Sequence, residues 1–225
     1  MKYKFNDTLI IPTDNIHLSG ELIIPENAAA LVIFSHGSGS SRFSPRNNFV
    51  AKELHKQGIG TFLFDLLTKE EDELYSNRFN IDLLSDRLVH ITKYISALPS
   101  VAGLNIGYFG ASTGAASAIK AAVALQNIIH SVVSRGGRPD LVLEEAKKIK
   151  TPTLLIVGEL DHDVIQMNKR AYDVMTCDKE LTIIKGATHL FEESGTMNLV
   201  AMNAISWFKK HLITAQKHAT AELLF

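Results

Sequence analysis

Apolar positions along this chain form two kinds of run, and the two alternate. Short, largely apolar runs lie at 30–35 (ALVIFS, continuous), 59–66 (IGTFLFDL), 104–109, 128–134 (IIHSVVS), 152–158 and 181–185. Their length and content of β-branched and aromatic residues predict strands, those at 30–35, 59–66, 128–134 and 152–158 buried within the sheet. Between them, apolar residues recur at three- and four-residue spacing, which predicts helices. These cover 49–57, stopped by Gly58; 81–98, with Ile81, Leu84, Leu88, Ile91 and Ile95 on one face, ended by Pro99; 116–124; 141–147; 164–175; and 196–212, with Met197, Val200, Ala204, Trp207 and Phe208. At the start, 4–11 and 16–24 read as an antiparallel hairpin turning at Thr13-Asp14-Asn15. The segment 68–79, with Glu70, Glu71, Asp72 and Glu73 in a row, reads as a solvated loop. The tail 213–225 is expected to extend the last helix or to fray.

Strands alternating with helices imply the α/β class: a mostly parallel eight-stranded sheet with helices on both faces, the first hairpin supplying its antiparallel part. No repeat or low-complexity linker interrupts the pattern, so 1–225 reads as one domain. The segment after the sixth strand is too short for a substantial lid, and the expected site is shallow and open.

Composition narrows the possibilities. With 46% hydrophobic and 21% charged residues, a chain of 225 residues can bury a sizeable core. A formal net charge of −1 points to neither nucleic acid nor an anionic membrane as partner. Cys177 stands alone, so no intrachain disulfide forms, which fits a reducing cytoplasm. No apolar run approaches the roughly 20 residues of a membrane helix, and the N-terminus lacks a signal-peptide core. A small-molecule substrate is the expected partner, and a homo-oligomer is compatible with the sequence.

The chemistry centres on 105–124, NIGYFGASTGAASAIKAAVA. A strand, a tight turn and a helix surround Gly110-Ala111-Ser112-Thr113-Gly114, the context of a G-x-S-x-G nucleophile elbow. Serine is a weak nucleophile until a base removes its proton. Two later strand ends carry the missing parts, in the order acid then base. The stretch GELDHDVI brings Asp161, with Asp163 and Glu159 as competing acids; GATHLF brings His189. Asp161 is preferred because it comes first after the strand and precedes the helix start at Val164. The N–H of Thr113 and that of Ser38, with Gly37 as runner-up, are the expected oxyanion donors. His36, Gly37, Arg135 and Arg138 are candidates for substrate binding; the arginines suit a carboxylate or phosphate, or else a purely structural task. No histidine spacing suggests a metal site, and no cofactor is expected.

The stretches HGSGSSR (36–42), GASTGA (110–115), SRGGRPD (134–140), GELDHDVI (158–165) and GATHLFEE (186–193) resemble an α/β-hydrolase of the dienelactone-hydrolase-like branch. The last three are similar to a bacterial subgroup often fused to, or encoded beside, phosphoribosyltransferase-like domains; no such domain is read in these 225 residues. The resemblance implies the α/β-hydrolase fold and a triad of Ser112, Asp161 and His189. Dienelactone hydrolase proper uses a cysteine nucleophile where this chain has Ser112, so neither its cysteine-specific activation nor its substrate is carried over. A serine hydrolase of small esters, thioesters or lactones is expected. A binding module on the same fold, or a peptidase or acyltransferase with the same triad, stays open.

Overall fold

Backbone polar groups in fully covered apolar runs can pair only with neighbouring strands, which draws those runs into one sheet. In the computed structural model, which describes residues 2–214, eight strands do so. They are β1 (Tyr3–Thr13), β2 (Ile16–Pro25), β3 (Ala30–Ser35), β4 (Ile59–Phe64), β5 (Asn105–Ala111), β6 (Ile129–Arg135), β7 (Thr153–Gly158) and β8 (Lys179–Ile184). Their order is β1-β2-β4-β3-β5-β6-β7-β8. The β1–β2 and β2–β4 pairings are antiparallel, and every pairing from β4 through β8 is parallel. This is the α/β-hydrolase sheet that the resemblance implies. All residues of β3, β4 and β7 are buried, whereas the edge strand β1 is mostly exposed.

The helices among the described residues are α1 (Pro45–Lys56), α2 (Lys69–Glu73), α3 (Ile81–Ser96), α4 (Thr113–Ala124), α5 (Leu143–Ala146), α6 (His162–Val174) and α7 (Thr196–Phe208). On one face α1 and α7 pack together, their Val50, Leu54, Val200, Ala204 and Phe208 sharing a core with Val32, Phe34, Phe109 and Val133. On the other, α3, α4 and α6 bring Leu88, Ile91, Ile119 and Ala171 to Leu31, Ile33, Tyr108 and Val132. Successive strand residues therefore serve opposite cores, as the pleat requires. Burying one side chain such as Phe109 completely contributes about 1.5–3 kcal/mol.

Several boundaries differ from the expected ones for local reasons. Helix α1 begins a turn early because Ser44 accepts the Asn47 N–H and Pro45 occupies the first helical position. The 68–79 segment is not a plain loop: Thr68 and Glu71 form a reciprocal capping box that starts α2, and a 3₁₀ turn, Tyr75–Phe79, follows. Its charge run does stay solvated, with no residue of α2 buried. The expected helix at 141–147 is a 3₁₀ turn, Pro139–Val142, followed by the short α5. Helix α7 gives way at Lys209–Thr214 to a π-helical turn. Of the tail expectation, residues 215–225 lie outside the described residues. No helix among the described residues is long and apolar enough to cross a membrane.

Candidate active site

Ser112 joins β5 to α4 with φ 52 and ψ −123, one of three non-glycine residues with positive φ among those described. A serine held there is strained, and such strain gathers at functional sites. The corner closes only because Gly110 and Gly114 lack side chains. A Cβ on Gly110 would lie 2.5 Å from the Ala115 Cα, and one on Gly114 would overlap the carbonyls of Ser35 and His36. Ser112 thus stands at the carboxyl end of the central parallel strands, where open α/β sheets place their ligand crevice.

Asp161 and His189 meet directly. Asp161 ends the turn after β7 and caps α6, and its Oδ2 accepts the His189 Nδ1–H at 2.6 Å. The Asp161 side chain is 14% exposed and that of His189 39%, so the pair is shielded on the acid side and open on the base side. With Nδ1 donating, the neutral ring presents Nε2 as its basic nitrogen. The competing acids are elsewhere: Asp163 is exposed in the first turn of α6, and Glu159 accepts the Gly186 N–H at 2.8 Å. Among the described residues no side-chain hydrogen bond links Ser112 to His189; such contacts often tighten only when substrate arrives.

Two loops border Ser112. A Cβ built on Gly37 would lie 3.0 Å from the Ser112 Cβ and 3.7 Å from its Oγ, so Gly37 adjoins the hydroxyl. Ser38 directs its N–H to Thr113 Oγ1 at 2.9 Å. As a second donor to an oxyanion, Ser38 would have to leave that partner. Across the site, the Arg138 N–H donates to the Ser112 carbonyl at 3.0 Å, and Asn168 Nδ2 donates to the Gly137 carbonyl at 2.9 Å. Gly136 sits against the histidine, its absent Cβ position 3.5 Å from the His189 Cε1. Sequence reasoning passed over Gly136 and the Thr113 side chain; the paired glycines of SRGGRPD were the one available signal for the first.

The other candidates take different places. His36 donates from Nδ1 to the Gly37 carbonyl and accepts the Leu66 N–H at Nε2, both at 3.0 Å. Burial holds its pKa below the ordinary histidine range. Both nitrogens are engaged, so the ring staples the loop after β3 to the end of β4 and has none left for a substrate. Arg138 is clasped by both carboxylate oxygens of Asp140, at 2.9 and 3.0 Å. Arg135 is the last residue of β6 rather than part of the glycine loop, and it turns toward α1. Cys177 packs half-buried against the core, and burial raises its thiol pKa. Among the described residues no three His, Cys, Asp or Glu side chains gather as a metal site.

The model of the dienelactone hydrolase family matches residues 18–219. The chain belongs to this family. A solved dienelactone hydrolase from Anabaena variabilis is 44% identical, with a TM-score of 0.90 over 94% of this chain and 100% of that one. Est1E from Butyrivibrio proteoclasticus is 16% identical, with a TM-score of 0.75 over 90% of this chain and 98% of that one, a likeness of fold. Two Mycobacterium tuberculosis proteins, each named "Putative phosphoribosyl transferase", are 48% identical over 197 residues, 88% of this chain. The chain spans only 44% of their length.

Proposed function

We propose that this dienelactone hydrolase family member is a serine hydrolase of small esters, thioesters or lactones. The observation that carries the reading is the Asp161–His189 contact past the ends of β7 and β8, together with Ser112 held at positive φ at the head of α4. Ser112 Oγ attacks the carbonyl carbon as His189 Nε2 takes its proton, and Asp161 steadies the imidazolium. The carbonyl oxygen gains the charge. The Thr113 N–H at the start of α4 receives it, with Ser38 or Gly37 as second donor. His189 then protonates the leaving alcohol or thiol, giving an acyl-serine. A water deprotonated by His189 attacks the acyl carbon, and the acid leaves as Ser112 regains its proton. The 44% identity to a protein named as a dienelactone hydrolase supports the same reaction class.

Turnover of p-nitrophenyl acetate and butyrate, with fluorophosphonate labelling, tests the proposal in wild type and Ser112→Ala. Wild type should hydrolyse and be labelled once, and the variant should do neither. Equal hydrolysis by both overturns the reading, and a wild type that neither turns over a broad ester panel nor takes the label is a binding module instead.

A further inference from the structure

Asn168 is a polar side chain that packing alone does not explain. It lies within α6, is completely buried, and its Oδ1 meets no partner among the described residues. An unpaired buried acceptor lowers stability, and asparagine is a poor residue for a helix interior. An apolar side chain of similar volume would avoid both costs. What the asparagine supplies lies at its other end. Nδ2 donates to the Val164 carbonyl, one turn back, at 2.8 Å, and to the Gly137 carbonyl, outside the helix, at 2.9 Å. The first bond fixes the rotamer, and the second fastens the loop that follows β6.

That loop, residues 135–138, touches Ser112 and His189 alike. It holds the Ser112 backbone at two points: the Ser112 N–H donates to the Arg135 carbonyl at 3.2 Å, and the Arg138 N–H donates to the Ser112 carbonyl at 3.0 Å. Between these, Gly136 lies against the imidazole, its absent Cβ position 3.5 Å from the His189 Cε1. Two successive glycines leave such a loop free to move. No side chain can stiffen it at Gly137, where a Cβ would overlap the Ser134 Oγ and lie 2.6 Å from the Ala115 Cβ. The loop is fixed from outside instead, by the Ile156 carbonyl, which accepts the Gly136 N–H at 2.8 Å, and by Asn168. Asn168 follows Asp161 by seven residues, about two helical turns, and so lies on the same side of α6. One helix thus presents the acid to His189 from its N-cap and clasps the neighbouring loop from two turns further in.

We propose that Asn168 is a positioning residue for the hydrolytic site: its amide, through the Gly137 carbonyl, sets the loop that aligns Ser112 with the His189 ring. The inference rests on the serine-hydrolase reading and deepens it. Asn168 touches no substrate and acts only through the loop. Once its donor is lost, Gly136 and Gly137 are free to shift, and the nucleophile and its base lose their mutual alignment. Such a loss is felt in the transition state rather than in substrate binding.

Steady-state kinetics on p-nitrophenyl acetate compare Asn168→Ala with Asn105→Ala. Asn105 makes the same kind of bond, Nδ2 to the Leu212 carbonyl at 2.7 Å, at the opposite end of β5 from Ser112. Asn168→Ala should lower kcat at least about tenfold with KM within about twofold of wild type, whereas Asn105→Ala should keep kcat. Asn168→Leu, which keeps the buried volume, should show the same split and decides alone if the alanine variant does not fold. A kcat within about twofold of wild type in the Asn168 variants, a loss carried by KM, or an equal loss of kcat in Asn105→Ala overturns the proposal. The hydrolytic reading fails separately, through a wild type without turnover. The His189 ring resonances in proton NMR then decide: a shift in Asn168→Ala but not in Asn105→Ala upholds the positioning role, and no shift in Asn168→Ala overturns it.

Discussion

Asp161 Oδ2 lies 2.6 Å from His189 Nδ1, across 28 residues of chain and two different strand ends. The contact orients one ring nitrogen and leaves the other free. Asp163, two residues on, is exposed and takes no part in it.

Asp161→Asn should therefore keep the fold but favour the wrong histidine tautomer. In a different triad enzyme the equivalent change lowers kcat about 10⁴-fold, and a loss of that order is expected here with a thermal midpoint within a few degrees of wild type. Asp163→Asn should change kcat/KM less than about twofold. Steady-state kinetics on one activated ester compare the two, and a crippled Asp163→Asn beside a near-normal Asp161→Asn would reverse the assignment.

Gly136→Ala should damage activity more than stability. Gly136 has φ 51, and an added Cβ would meet the His189 carbonyl at 3.3 Å and its Cε1 at 3.5 Å. The left-handed conformation costs alanine about 1–2 kcal/mol. The displaced imidazole should lower kcat at least about tenfold, since misplacement by about 1 Å can lower rates a hundredfold. A variant with wild-type kcat would show that the ring position tolerates the methyl group.

Thr113→Val removes the acceptor of the Ser38 N–H while keeping the shape of a side chain that is 3% exposed. The unpaired donor should lower stability by about 1–2 kcal/mol, or roughly 3–6 °C in the midpoint. Thr113→Ser should restore most of this, because its hydroxyl can reach the same N–H. Calorimetric scans of both variants give the comparison; equal losses would mean that methyl packing, not the hydrogen bond, matters there.

Acidification should destabilise the protein through its buried histidines. Burial pushes the His55 pKa from 6.5 to about 4, and its Nε2 lies 2.8 Å from Thr61 Oγ1. Between those values the unfolded chain binds a proton that the folded chain does not, so stability rises with pH. The contribution is complete above pH 6.5 and is lost as pH falls toward 4. His36, also shifted downward by burial, acts with the same sign. Midpoints measured from pH 7 to 4.5 should fall, with a shallower slope in His55→Gln; identical slopes would place the effect on the carboxylates.

Much of the fold was legible because its signals are local. An uninterrupted run such as ALVIFS reports burial on both faces, and α3 shows its face through Leu84, Leu88, Ile91 and Ile95. The elbow was legible for the same reason, as two glycines flanking Ser112 are a requirement of one turn. Local signals were also missed: the Ser44-Pro45 start of α1 and the Thr68 to Glu71 capping box are both written within four residues.

Other features were decided only when distant segments met. Composition around Arg135 allowed a loop residue facing a substrate or a structural one. Its place as the last residue of β6 aims it at α1, because successive residues of a strand face opposite ways and one step of register exchanges the faces. His36 and Ser38 looked available until Leu66 and Thr113 engaged them, through contacts 30 and 75 residues apart in the chain. By itself, then, the sequence determined the strands, the helices and the turn that holds Ser112, since each depends on neighbours a few residues away. The partners of His189, His36 and Arg135 were left to the tertiary structure, since a hydrogen bond depends on which segments the sheet order brings together.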